Sequence, residues 1–112
     1  MRSEGDEPLA ERRCRRCRPG EPPLPPEEIA RLAASLDGWD VVDGERLVKD
    51  LRFADFRSAL AWVNAVGEIS EAERHHPEIT FTWGRARAAI WTHAIGGLTE
   101  NDFILAAKID RI

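Results

Sequence analysis

Asp43-Gly44 separates two short runs rich in β-forming residues, Trp39 to Val42 and Arg46 to Phe53. That dipeptide tolerates the positive φ angles of a tight turn whose twist matches the strands it joins, so the two runs are expected to pair as an antiparallel hairpin. A second hairpin signal follows. Between Glu78 and Trp83 the apolar residues Ile79, Phe81 and Trp83 alternate with Thr80 and Thr82, a period of two that turns one face inward. Gly84-Arg85 then reverses the chain into a partner strand, Ala86 to His93.

Helical periodicity fills the space around these hairpins. Ile29, Leu32, Ala33 and Leu36 recur at helical spacing behind Glu27 and Glu28, whose charges suit the positive end of a helix, and Gly38 ends it. Asp55 is placed to cap a long helix in which Phe56, Leu60, Val63 and Gly67 form one stripe, widened by Ala59, Trp62 and Val66, and which ends near Arg74. After Gly96-Gly97, Thr99 reads as the N-cap of a third helix, with Asp102 reaching back to it and Leu98 and Phe103 spaced as a hydrophobic staple. The order helix, two strands, helix, two strands, helix predicts an α+β domain: a four-stranded antiparallel sheet with three helices on one face.

This domain is expected to occupy residues 27–112. Residues 1–26 hold most of the seven prolines, many charges of both signs and few large apolar residues, a composition that predicts a disordered or loosely attached tail. Cys14 and Cys17 within it have the spacing of a redox pair or half a zinc site, but no second ligand pair lies nearby, and the pair is read as incidental. The net charge of −4 offers nothing to nucleic acid, and no apolar run approaches a membrane span or a secretory signal, so a cytoplasmic protein is expected.

Chemistry is concentrated in three histidines. His75 and His76 are adjacent at the end of the long helix, and Pro77 pushes His76 toward extended backbone. His93 lies at the end of the last strand, before Gly96-Gly97. All three are near chain reversals, where side chains meet at a cleft, and imidazole exchanges protons near neutral pH. Three histidines also suit zinc, although successive side chains on extended backbone diverge. Solvated surface imidazoles are the plainer alternative. Asp102 is explained by a capping box alone, Trp39 by stacking on a flat heterocycle or by covering the core edge, and Arg85 and Arg87 by a solvated strand face.

Two blocks, Arg74-His75-His76-Pro77-Glu78-Ile79 and Thr92-His93-Ala94-Ile95-Gly96-Gly97-Leu98-Thr99-Glu100-Asn101-Asp102, together resemble the signature of the pterin-4a-carbinolamine dehydratases. The resemblance extends from about Ile29 through Gly38-Trp39 and Phe53-Ala54-Asp55-Phe56 to Ile109-Asp110. It implies a hydro-lyase, 4a-hydroxytetrahydrobiopterin dehydratase, that removes water from 4a-hydroxytetrahydropterin without a metal or organic cofactor. Its partners would be a small-molecule pterin and further copies of itself, in homodimers or homotetramers. Carried over by motif, His75, His76 and His93 are the catalytic histidines, while Trp39, Pro77 and Asp102 lie at the pterin.

Three departures stand out. Arg74 replaces a small polar or acidic residue and puts a cation beside the histidines, Trp83 stands where Tyr is common, and Ala86 and Ala88 replace larger β-formers. The same fold also serves as a dimerisation cofactor in transcription and in RuBisCO assembly, so a non-catalytic binding role is the alternative.

Overall fold

The computed structural model describes residues 7–18 and 20–112. It contains helix α1 (Pro26–Ala33), strands β1 (Asp40–Val42) and β2 (Arg46–Arg52), helix α2 (Phe56–Glu73), strands β3 (Glu78–Thr82) and β4 (Arg85–Ile90) and helix α3 (Glu100–Ile109), preceded by a 3-10 turn at Leu9–Glu11. The four strands form one antiparallel sheet in the order β1-β2-β4-β3, and the three helices pack on one face of it, as expected.

Cross-strand pairs show why only one face is covered. Leu47 pairs with Ile90, Leu51 with Ala86, Ile79 with Ala88 and Phe81 with Ala86, and all of these side chains belong to the core. On the other face Asp50 pairs with Arg87 and Thr82 with Arg85, all exposed. Ala86 and Ala88, small for a strand, share one core cluster with the bulkier Trp62 and the apolar side chains of α3. The Asp43-Gly44 turn has φ of 54° and 68°, the pair of positive angles that a two-residue hairpin turn requires.

The long helix begins and ends as its sequence dictates. Asp55 accepts the Ser58 N–H at 2.7 Å, and Arg74 closes the helix in the left-handed conformation. Its inward stripe, however, is Ala59, Trp62, Val66 and Ser70, whereas Phe56 and Leu60 are 46% and 37% exposed. The helix carries two adjacent apolar stripes, and the pattern alone does not say which one the sheet takes.

Strand β2 ends at Arg52, one residue before its predicted end, and β3 and β4 also stop short of theirs. Trp83 falls in the β3–β4 turn and is 67% exposed instead of facing inward, because the reversal begins at it. Strand β4 ends at Ile90, and His93 lies in a turn of residues 93–96 closed by the Thr92–Gly97 bridge.

The largest difference concerns residues 7–18 and 20–26, expected to be loose. Leu9 is buried in the core, and Lys108 of α3 donates to the Ala10 carbonyl at 3.0 Å. Glu73, at the end of α2, accepts the Cys14 N–H at 2.8 Å, and Asn101 both accepts from the Arg15 N–H (2.9 Å) and donates to the Arg15 carbonyl (2.5 Å). Leu24 N–H donates to the Leu98 carbonyl, and Pro23 sits so close to Gly97 that an added Cβ there would come within 3.0 Å of it. The segment has no core of its own; Leu9 and Leu24 pack on the domain's core, and side chains of α2 and α3 satisfy its backbone. No helix among the described residues is long and apolar enough to cross a membrane.

Burial and the neighbouring Glu73 carboxylate push the Cys14 thiol up to about 12, so docking keeps it in the unreactive protonated form. Leu9→Glu is expected to detach the segment: tryptic cleavage within 12–18 and alkylation of Cys14 at pH 8 should both accelerate, by about tenfold or more since the thiolate is the nucleophile. Unchanged rates of both in the variant would show that Leu9 does not hold the segment down.

Candidate active site

Asp102 is the buried centre of the site. Its side chain has no solvent exposure, and a carboxylate in that position must find donors for its oxygens. One oxygen, Oδ2, accepts the Thr99 N–H at 2.8 Å, completing the capping box that starts α3, and also accepts the Thr92 hydroxyl at 2.9 Å. The other, Oδ1, meets His75 Nε2 at 2.5 Å. Thr92 Oγ1 and Thr99 Oγ1 are 2.9 Å apart. Because Thr92 spends its single proton on Asp102, Thr99 is the donor in that contact, and the chain of hydrogen bonds runs Thr99 to Thr92 to Asp102.

The pairing defines the imidazole of His75. An ionised carboxylate only accepts, so Nε2 carries the proton, and Nδ1 is left as the ring's acceptor. His75 reaches this position because the left-handed Arg74 ends α2 and the His75 N–H bonds back to the Ser70 carbonyl at 3.2 Å.

His76 points elsewhere, as adjacent residues on non-helical backbone do: its Nε2 lies 2.5 Å from Glu71 Oε2, and both side chains are largely exposed. His93 is exposed in its turn, its ring 4.4 Å from that of Trp91, which in turn has the Arg46 guanidinium 4.4 Å from its centre. The three imidazoles therefore have three different partners, yet all line one open cleft of about 1090 Å³. Among the described residues no three of His, Cys, Asp and Glu are grouped to hold a metal ion.

Of the other predicted residues, Asp102 stands behind the cleft wall, in contact with His75. Pro77 is half-buried after His76 and does not line the cleft. Trp39 does not join the group. Its indole N–H donates to Asp110 Oδ1 at 2.8 Å, beside the Lys49 ammonium, which bonds the same oxygen at 2.7 Å. Asp110 caps the opposite end of α3, eight residues from Asp102 and so about 12 Å along the axis at 1.5 Å per residue.

Sequence reasoning missed Thr92 as a partner of Asp102, although it stands in the quoted motif. It also missed Asn101 and the wall that residues 14–18 build against the cleft. A buried Asn beside the capping Asp is the available signal for the latter, since its amide needs backbone partners.

Similarity to known proteins bears on this arrangement. The family described as pterin 4 alpha carbinolamine dehydratase matches residues 22–112. A relative from Rubrobacter xylanophilus, provisionally named pterin-4-alpha-carbinolamine dehydratase, is 54% identical over 104 residues, 93% of this chain and 97% of the relative. The crystal structure of a transcriptional coactivator/pterin dehydratase from Brucella melitensis superposes with a TM-score of 0.75 at 30% identity, covering 80% of this chain and 96% of that one. A pterin dehydratase-like protein described as a RuBisCO assembly factor of the alpha-carboxysome shares the fold, with a TM-score of 0.57 at 21% identity over 67% of this chain and 88% of its own. With the three histidines gathered at one cleft and the family matched across the whole sheet and its helices, the chain belongs to the pterin-4a-carbinolamine dehydratase family.

Proposed function

We propose that the protein dehydrates a 4a-hydroxytetrahydropterin to quinonoid dihydropterin and water, by acid–base catalysis at the histidine cleft. The observation that carries this reading is the convergence of the chain's three histidines on one cleft, with one of them keyed to a buried carboxylate. Elimination needs a proton delivered to the leaving 4a-hydroxyl and a proton removed from a ring N–H. Imidazoles do both near neutral pH.

The geometry favours a division of labour. His75, with Nε2–H held by Asp102, offers Nδ1 as the base for the ring N–H. His76, its Nε2 2.5 Å from Glu71 Oε2, is the proton donor to the hydroxyl, which leaves as water. The substrate loses one water, the two histidines exchange protonation states, and solvent resets them. His93, laid against Trp91, lines the cleft as a third imidazole. Asp102 and Thr92 are positioning residues that fix the His75 ring before substrate arrives. No step in this scheme requires a metal.

A homodimer or homotetramer is part of the same reading. Phe56 and Leu60 leave an apolar stripe on the outer side of α2, and β3 is a sheet edge, both surfaces that a second copy would cover. Leu60→Glu should then lower the molar mass measured by light scattering to that of a smaller assembly; an unchanged mass would remove α2 from the interface.

Enzymatically generated 4a-hydroxytetrahydropterin, in chelator-treated buffer, tests the activity. The wild type should accelerate its dehydration regardless of chelator, and His75→Ala and His76→Ala should each lower kcat by about 10²- to 10⁴-fold, the usual contribution of a general acid or base. Asp102→Asn, which turns an acceptor toward the Thr99 and His75 donors into a partial donor, should lower kcat and also destabilise the fold by about 1–3 kcal/mol. Wild-type protein that leaves the uncatalysed rate unchanged would overturn the enzyme reading in favour of a binding role.

A further inference from the structure

The cleft that holds the histidines is walled by cations. Arg15, Arg16, Arg18 and Arg74 line it, and among the described lining residues the one carboxylate is Glu73. Glu73 is already engaged, accepting the Cys14 N–H at 2.8 Å and lying 3.3 Å from the Arg13 guanidinium. Arg15 shares its charge with Glu21, whereas Arg16, Arg18 and Arg74 make no ion pair among the described residues. In a chain of net charge −4 this is a local reversal of sign at the mouth of the candidate site.

The arrangement is built rather than incidental to a loose tail. Asn101, buried and immediately before Asp102, clamps the Arg15 backbone by both its N–H and its carbonyl, and Glu73 fixes Cys14 one residue earlier. The same two elements that position His75, the end of α2 and the start of α3, thus carry the arginines to the cleft. Arg15, Arg16 and Arg18 precede residue 22, where the family match begins.

A pterin ring is uncharged at neutral pH: its acceptors and flat face can occupy a guanidinium, but it brings no negative charge to balance several of them. Guanidinium forks match the paired oxygens of phosphate and carboxylate groups. We infer that this arginine wall binds an anionic group on the substrate's side chain, so that the preferred substrate is a 4a-hydroxytetrahydropterin bearing phosphate or carboxylate. The inference rests on the dehydratase reading for the ring and adds the charge of the side chain.

Equilibrium binding to the full-length protein tests it with stable ligands: 6-hydroxymethyl-7,8-dihydropterin, its phosphomonoester, and dihydrofolate as the carboxylated form. At low ionic strength at least one anionic ligand should bind about tenfold more tightly than the neutral one, or about 1.4 kcal/mol. Tighter binding of one or both anionic ligands identifies phosphate, carboxylate or either as the group recognised. The advantage should shrink toward unity at about 0.5 M salt, as screened exposed charges require, and in the double variant Arg16→Ala/Arg18→Ala. Equal affinity for all three ligands at low salt, or an advantage that survives salt and the loss of both arginines, would overturn the inference while leaving the dehydratase reading in place. Failure of every pterin to bind would overturn both.

Discussion

A carboxylate without solvent exposure survives in a folded protein only where donors replace its water, and Asp102 has three of them from three separate parts of the chain. Thr99 lies at the start of α3, Thr92 just beyond β4, and His75 just beyond α2. The buried charge therefore ties together the places where a helix ends, a strand ends and a helix begins. Moving any of these elements would strip a partner from an ion that cannot be left bare, so one interaction serves both the registry of the fold and the orientation of an imidazole.

The rest of the site follows from that knot. With the end of α2 held beside the start of α3, Glu73 and Asn101 come to face the upstream segment, and their side chains satisfy its backbone. That segment adds the arginine wall to the histidine wall. The opposite end of α3 has its own cluster, in which Asp110 holds Trp39 and Lys49, so a single ten-residue helix anchors the core at both ends while only its N-terminal end faces the chemistry.

Much of this was legible in the sequence because it depends on local rules. The Asp43-Gly44 turn, the Asp55 cap, the Thr99–Asp102 capping box and the break at Arg74 are each written within a few residues, and the structure places them there. What could not be read depends on contacts distant along the chain. Phe56 and Leu60 look as fit for the core as Ala59 and Trp62 until the sheet takes one stripe. Residues 7–18 look too polar to order until Glu73, Asn101 and Lys108 are seen to receive them. Trp39 seems suited to stack on a heterocycle until Asp110 claims its N–H. His75 and His76, adjacent in sequence, receive unlike partners because the backbone after α2 is no longer helical and the two rings part, one to Asp102 and one to Glu71.

Asp102 is placed to hold His75 in one tautomer, with the proton on Nε2 and Nδ1 free to act. Nitrogen-15 NMR of the imidazole rings reads this directly in the wild type and in Asp102→Asn. Neutral His75 should show a single Nε2–H form in the wild type and a mixture of tautomers in the variant. A wild-type His75 protonated on Nδ1, or a tautomer unaffected by the substitution, would mean that Asp102 does not set the ring.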